Sequence, residues 1–355
     1  MPGLTSNTQV GVREDLADVI SLVDMRTTPF FTMCPKGAEP INALYSWQVD
    51  QYETFNTSGI IDGADVTSFE NPARFRSRLY GRIQEWRRAI MISIIAQDVS
   101  NVAGLGKKQE MAHGIMKATV EVKRDIEATL LQHAVDSQAD NGSVPYLTRS
   151  LGAWLTNGFS FTDSFTIPTT FQTPTTSNLN SSTTAAYGGT YTGAATNSGL
   201  TETQLQGLLQ SIFLQRGEKK DFDLFCGATL RRAITNLSLY QTNNSSTGMI
   251  RQFMHTEQDE KEMQSTIDFF AGDFGTIRLV PDLFIARDVD APGTANSLSS
   301  GYLLDMELLM LRWNKRPYFH PLPDEGGGPR GAVIAIGGLE VLNPLGLATV
   351  YATNA

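Results

Sequence analysis

The sequence is poor in the residues on which many enzymes and metal sites depend. Among 355 residues there are two cysteines and four histidines. Cys34 and Cys226 lie far apart with no CxxC spacing, which argues against a disulfide framework and favours free thiols in a reducing compartment. The histidines are scattered along the chain, so no metal-ligand cluster is indicated.

Long apolar runs are also missing. No stretch of about 18 apolar residues occurs, so we expect no membrane-spanning helix. The N-terminus lacks a basic stretch followed by an apolar run, and no secretory signal is expected.

Charge is scarce and mostly negative. Charged residues make up 18% of the chain and the formal net charge is -9, which argues against a dedicated nucleic-acid binder. A container whose inner wall tolerates DNA is still compatible with this charge. Arginine outnumbers lysine 19 to 9, and arginine is the residue better suited to forked ion pairs at interfaces.

Catalytic motifs are fragmentary. Residues 273–275 read Asp-Phe-Gly, but no glycine-rich loop, strand lysine or His-Arg-Asp loop accompanies them, so a turn explains them better than a kinase site. Residues 104–108 lack the first glycine of a phosphate loop. We therefore predict no enzyme activity and no cofactor, and an enzyme that uses Asp273 or the histidines is the alternative.

Two alternating stretches predict an antiparallel hairpin. Apolar residues recur at every second place from 41 to 49 and again at 55, and arginines recur in the same way from 74 to 82 except at Tyr80. In strands this alternation separates the two classes onto opposite faces. Two strands of about 13 residues would form a ribbon about 40 Å long. Because an isolated ribbon is barely stable in water, we expect a second copy of the chain to cover its apolar face.

The arginine-bearing strand has three interpretations. Its guanidinium groups could bind phosphates, form ion pairs with another subunit, or face solvent. Interleaved aromatic residues also fit a platform for single-stranded nucleic acid. The negative net charge favours pairing between protein subunits, and the predicted contact residues are Arg74, Arg76, Arg78, Arg82, Trp47, Phe75 and Asp50.

The remaining periodicity predicts an α+β chain. Residues 107–135 carry an apolar stripe at spacings of three and four, which predicts one long helix. Lys117 with Glu121 and Lys123 with Glu127 are predicted i,i+4 pairs on its wetter faces. Other predicted helices are 13–23, 201–216 and 228–239, and predicted strands are 89–96, 222–226, 276–280, 283–286 and one or two within 332–351, with a loop around the prolines and glycines of 317–328.

One block departs from this pattern. Between Arg149 and Glu202 the only charged residue is Asp163, and the block is rich in Thr, Ser, Asn and Gly with spaced aromatics. Such composition fits an exposed β-rich or irregular insertion. A carbohydrate-binding module is one hypothesis for it.

The order of these parts resembles the major capsid (head) proteins of tailed double-stranded-DNA bacteriophages. The matching segments span most of the chain in the expected order: 11–16, 18–20, 28–30, 47–50, 123–127, 149–151 with Trp154, 273–277, 280–281 and 304–305. The nearly uncharged block at 158–199 has no counterpart in that pattern.

This resemblance implies a fold and a function. It implies an N-terminal arm at 1–45, an extended β-hairpin loop at 46–98, a peripheral domain with a spine helix at 99–150, an axial α/β domain at 151–315 that includes the insertion 158–199, and a return to the peripheral domain at 316–355. The chain would form hexamers and pentamers of an icosahedral or prolate shell around double-stranded DNA, bound without sequence specificity. Implied partners are other copies, a scaffolding protein, a portal and a decoration protein, with no membrane. The virion would be its location, after assembly in the host cytoplasm, and an encapsulin-like compartment shell is the alternative.

Overall fold

The computed structural model describes residues 27–350 apart from 51, 53–54, 72–75, 99–100, 103–104, 133–134, 156–201, 240–267 and 287–300. Three predictions lie outside the described residues: the helix at 13–23, the side chains of Arg74 and Phe75, and the insertion at 158–199.

Within the described residues the chain is α+β. The α-helices are α1 Pro29–Met33, α2 Ile94–Asp98, α3 Glu110–Leu130, α4 Leu151–Leu155, α5 Glu202–Arg216 and α6 Ala228–Leu239. The strands are β1 Leu44–Val49, β2 Ser77–Arg82, β3 Gln84–Met91, β4 Asn101–Val102, β5 Gly106–Lys107, β6 Lys220–Cys226, β7 Phe269–Gly272, β8 Gly275–Pro281, β9 Gly301–Leu304, β10 Leu309–Leu322, β11 Arg330–Val341 and β12 Ala348–Val350. None of the described helices is both long and apolar enough to cross a membrane.

One compact unit contains Arg87–Lys123 and Pro317–Ala335. Its loop between β10 and β11 is ordered by Asp324, whose Oδ1 accepts from the N–H groups of Gly326 and Gly328 at 2.8 and 3.1 Å. Gly328 has φ +118° and lies against the Ile92 carbonyl, so a side chain would not fit there. In this unit the predicted strand 89–96 ends at Met91, and the helix α2 follows because the Ser93 hydroxyl caps it by accepting from Ala96 N–H at 3.2 Å.

The second unit contains Thr28–Trp86 and Arg124–Arg316, and it resumes at Ile336. Its main sheet has the strand order β12-β9-β6-β8-β7, in which β6 and β8 run parallel and the other pairs are antiparallel. Apolar residues of α5 and α6 share one core with this sheet, including Leu209, Ile234 and Leu224. The predictions for α5, β6 and α6 are confirmed to within two residues.

The long predicted helix is confirmed as α3, although it is shorter than predicted. Its 21 residues correspond to about 32 Å at roughly 1.5 Å per residue. Ala118, Val122 and Ile126 of the predicted stripe are buried, and Lys117 pairs with Glu121 at 3.9 Å. The second predicted pair is wrong, because Glu127 is fully buried rather than on a wet face.

Two further predictions are wrong for identifiable reasons. Residues 284–286 form a 3-10 turn rather than a strand, because Asp282 Oδ1 accepts from Phe284 N–H at 2.8 Å and turns the chain. The loop predicted at 317–328 begins only at 323, because strand β10 continues through Pro317 and Pro321. This strand lies at the edge of the sheet ordered β10-β11-β3, where proline's missing N–H is tolerated.

Candidate assembly surface

The predicted hairpin exists, but its paired part is short. Strands β1 and β2 pair in antiparallel register from Leu44 opposite Arg82 to Val49 opposite Ser77. We call these two strands the hairpin base and residues 50–71 the hairpin tip. Six residues per strand give a ladder of roughly 20 Å, about half the predicted length.

The apolar face of the base is covered by the same chain. Tyr45 and Trp47 are only 6% and 8% exposed. The Tyr45 hydroxyl donates to the Leu339 carbonyl at 2.8 Å, and Trp47 Nε1 donates to the Val341 carbonyl at 3.1 Å. The prediction that another copy covers this face is therefore wrong for the base.

Aromatic and charged groups close around the two rings. Trp47 stacks on Tyr45 with a ring-centroid distance of 5.9 Å and contacts Trp154 at 5.6 Å. The Arg312 guanidinium lies 5.3 Å from the Tyr45 ring centroid and forms an ion pair with buried Glu340. Burial, and then the negative charge of Glu340, raise the pKa of Tyr45 far above its usual range, so its hydroxyl remains a donor.

Two glycines make room for Tyr45. A Cβ at Gly81 would lie 2.6 Å from the Tyr45 ring, and a Cβ at Gly338 would lie 2.6 Å from its hydroxyl and 2.5 Å from the Arg82 carbonyl oxygen. Real Cβ atoms do not approach that closely, so these positions accept only glycine without a shift of the chain. The base is thus a fitted part of the subunit core.

In contrast to the base, the tip exposes its large apolar side chains to solvent. Its large apolar side chains have exposed fractions between 72% and 98%: Tyr52, Phe55, Ile60, Ile61, Val66 and Phe69. The chain reverses at Asp62-Gly63, where Ala64 N–H donates to the Ile61 carbonyl at 3.0 Å and Gly63 has φ +79°. Monomeric proteins seldom expose so many large apolar side chains in one segment.

The charges of the tip are of one sign. Between positions 50 and 71 the sequence has five acidic residues and no lysine or arginine: Asp50, Glu53, Asp62, Asp65 and Glu70. The tip therefore presents apolar and acidic groups together. The sequence signal for this surface is the combination of apolar and acidic residues in a segment without helical or strand periodicity. The individual apolar residues of the tip beyond Phe55 were not predicted as contacts.

The predicted contact residues fall into different environments. Trp47 is a core residue, which removes it from the candidate contacts, and Arg82 is buried with 8% exposure. Arg76 Nε lies 3.3 Å from Asp50 Oδ2 of the same chain, in a half-exposed pair just beyond the last rung of the ladder. Arg78 is exposed on β2 opposite Gln48, and it is the described arginine of the base best placed for an external contact.

The described residues contain no group of three or more His, Cys, Asp or Glu side chains that could hold a metal ion. Asp273 and Phe274 form the turn between β7 and β8, as predicted for the Asp-Phe-Gly tripeptide.

Solved structures with a similar architecture include capsids of phages and of a GTA particle. The capsid of Cyanophage A-1(L) matches 98% of this chain and 99% of its own with a TM-score of 0.60 at 12% identity. The capsid of a native GTA particle matches 99% and 97% with a TM-score of 0.58 at 11% identity. At these identities the likeness shows the fold alone, and that fold is the tailed-phage capsid fold that the sequence predicted.

Sequence comparison agrees with the fold. The major capsid protein of Escherichia phage Phieco32 is 30% identical over 147 residues, which are 40% of this chain and 38% of that protein. The match therefore spans well under half of the length of this relative. The family model described as SU10 major capsid protein matches residues 3–354, nearly the whole sequence. With the head-protein fold and the family pattern in agreement from end to end, the chain belongs to the SU10 major capsid protein family.

Proposed function

We propose that copies of this chain assemble through hexamers and pentamers into the closed shell of a phage head, and that the hairpin tip holds neighbouring copies together. The observation that carries this proposal is the set of six large apolar side chains of the tip that its own chain leaves exposed. Fully burying such a side chain contributes about 1.5–3 kcal/mol. Repeated around a closed shell, several weak contacts per subunit become collectively stable.

The test replaces the apolar side chains of the tip in the full chain. Phe55→Ser, Ile60→Ser, Ile61→Ser and Phe69→Ser together remove most of the exposed apolar area of the tip and touch no residue of the base. We expect the subunit to fold normally but to form at least tenfold fewer shells, counted by negative-stain electron microscopy.

A matched control separates the tip from exposed apolar surface in general. Leu214 on α5 and Phe269 on β7 are 56% and 68% exposed. Leu214→Ser with Phe269→Ser should leave the shell yield within about twofold of the wild type. Shells at normal yield from the tip variant would contradict the proposed role of the tip.

We further propose that Arg78 pairs with carboxylates of a neighbouring copy. The acidic groups of the tip, Asp62, Asp65 and Glu70, are the first candidates because the tip has no basic residue of its own. Charge complementarity of this kind selects the partner and fixes the register more than it adds affinity.

A charge exchange tests this pairing. Arg78→Glu should lower the shell yield at low salt, and adding Asp62→Lys with Asp65→Lys in the same chain should restore it at least in part. Lys219→Glu, an exposed lysine before β6, is the control for a simple change in net charge. If the tip substitutions do not restore assembly, the carboxylate partner of Arg78 lies elsewhere or is absent.

The finer features of the function follow from the family resemblance. We infer that the shell encloses double-stranded DNA without sequence specificity, that a scaffolding protein, a portal and a decoration protein take part, and that assembly occurs in the host cytoplasm. The net charge of -9 supports a wall that tolerates DNA rather than one that binds it tightly. A shell that closes without any other phage protein and takes up a tagged enzyme would favour the encapsulin-like alternative.

A further inference from the structure

Two buried carboxyl groups meet at the beginning of helix α1, within the second unit. Glu127 of α3 is fully buried and Asp282, which follows β8, is 4% exposed. After burial, the charge of Asp282 and a side-chain hydrogen bond with it are the causes that raise the pKa of Glu127, so the two carboxyls lie next to each other. Buried acidic side chains are rare unless they have specific partners, and neither belongs to the hairpin.

Glu127 holds the first turn of α1. Its Oε1 accepts from Phe30 N–H at 2.7 Å and its Oε2 accepts from Phe31 N–H at 2.6 Å. These amides are among the N–H groups that have no partner inside a helix. Phe30 is fully buried and packs edge-on against Phe225 at 5.6 Å, so Glu127 fixes residues 28–34, within the predicted N-terminal arm, to α3.

Asp282 completes the arrangement and lacks one donor. Its Oδ1 accepts from Phe284 N–H at 2.8 Å, while its buried Oδ2 accepts from no nitrogen or hydroxyl among the described residues. One proton shared between Glu127 and Asp282 would supply the donor that Oδ2 lacks. Two carboxylates in contact away from water cannot both stay ionised without a large penalty.

We propose that Glu127 and Asp282 form a proton-dependent latch, which holds residues 28–34 on α3 while the pair carries one proton and releases them when both carboxyls are ionised. The latch belongs to the single subunit. The latch can be tested on unassembled subunits, so a negative result for the latch would leave the proposed shell function untouched.

Two buried thiols lie near the pair, and neither titrates in the relevant pH range. Cys34 follows α1 and Cys226 ends β6, and burial raises the pKa of both thiols, that of Cys226 to about 12. Arg231 of α6 faces Cys226 and pairs with Asp268 at 2.7 Å. Both thiols therefore keep their protons over the pH range in which Glu127 loses its own.

The direction of the pH effect follows from linkage. Burial, and then the neighbouring Asp282, raise the pKa of Glu127 from 4.5 to about 9, and burial raises the pKa of Asp282 as well. The closed form keeps a proton that the open form loses between these two pH values. Within that window, the equilibrium constant for opening should therefore rise by up to about tenfold for each pH unit. Above the pKa of the closed form, this equilibrium constant should no longer depend on pH.

Labelling of Cys34 tests the latch, because this buried thiol lies at the end of the held segment. The full chain is exposed to a thiol reagent at several pH values from 5 to 8, and mass spectrometry measures Cys34 and Cys226 separately. Asp282→Asn is the comparison variant. Its amide can donate to an ionised Glu127 and can still accept from Phe284 N–H, so the hydrogen bonds are kept and the carboxyl pair is removed.

We expect the ratio of the Cys34 labelling rate in the wild type to that in D282N to rise with pH, by up to about tenfold per unit. Taking the ratio at each pH removes the pH dependence of the thiol chemistry itself. A ratio constant within about twofold from pH 5 to 8 would overturn the latch. Labelling of Cys226 in parallel with Cys34 would also overturn it, because the opening would then be global.

A second variant covers the case in which D282N behaves unexpectedly. Glu127→Gln has one oxygen for two backbone donors, so one amide of α1 loses its acceptor. It should label faster than the wild type at pH 5, and its ratio to D282N should not change with pH. Slow labelling of E127Q at pH 5 would contradict the role of Glu127 in holding residues 28–34.

Discussion

The base and the tip of one hairpin show what decides whether an apolar side chain stabilises the subunit or an assembly. Tyr45 and Trp47 in the base are held by the Leu339 and Val341 carbonyls of their own chain. In the tip, a few residues away, Phe55 and Phe69 are 90% and 87% exposed. Both regions are rich in large apolar residues. The difference lies in a complementary surface supplied by β11, which the base has and the described structure of the tip lacks.

This comparison separates two kinds of stability. Substitutions in the base should act on the free energy of unfolding of the subunit, because its contacts are already made before assembly. Substitutions in the tip should leave that free energy almost unchanged and act on shell formation. The predictions below test this separation, in order of decreasing effect on the free energy of unfolding.

Trp47→Ala should produce the largest effect. It removes a buried indole, its contact with Trp154 and its hydrogen bond to the Val341 carbonyl. Substitutions of this kind cost about 3–5 kcal/mol. Tyr52→Ala in the tip, where the side chain is 98% exposed, should change the free energy by less than about 0.5 kcal/mol. Chemical denaturation of the unassembled subunit measures both, and equal effects would abolish the distinction between base and tip.

Glycine substitutions should separate the two regions by a smaller amount. A Cβ at Gly338 would meet the Arg82 carbonyl oxygen at 2.5 Å, whereas a Cβ at Gly59 in the tip would have no neighbour within 4 Å. Gly338→Ala should therefore destabilise the subunit by about 1–3 kcal/mol through overpacking. Gly59→Ala should be neutral or slightly stabilising. Thermal unfolding of the two variants checks this difference, and a neutral G338A would show that the base is less tightly fitted than its distances indicate.

Much of this organisation could be predicted from the sequence, because period and turn chemistry are local properties. The alternation around Trp47 predicted the pairing of β1 with β2, and the stripe through Val122 and Ile126 predicted α3. The partner of each face is not a local property. The same alternation is compatible with cover by β11 or by another copy, and only the fold shows that Leu339 and Val341 lie beneath the base.

The buried carboxyl pair shows the same limit more sharply. Lys123 and Glu127 have the spacing of an exposed ion pair on a helix, and the sequence therefore predicted a wet face. In the fold Glu127 instead meets two amides of α1 and the side chain of Asp282, which is 155 positions further along the chain. A contact of that separation leaves no periodic signal. This buried carboxyl pair was thus beyond prediction from pattern alone.

The smallest expected effect lies at the boundary between base and tip. Arg76 and Asp50 pair at 3.3 Å with side chains that are about half exposed. Exposed pairs of this kind contribute roughly 0.2–1 kcal/mol, and salt screens them. Arg76→Ala should therefore destabilise the subunit by less than about 1 kcal/mol at low salt and by nearly nothing at about 1 M salt. If R76A instead lowered the shell yield strongly while the free energy of unfolding stayed the same, Arg76 would act with the tip rather than with the base. The part of the hairpin that acts in assembly would then extend to the Arg76–Asp50 pair, next to the last rung of the ladder.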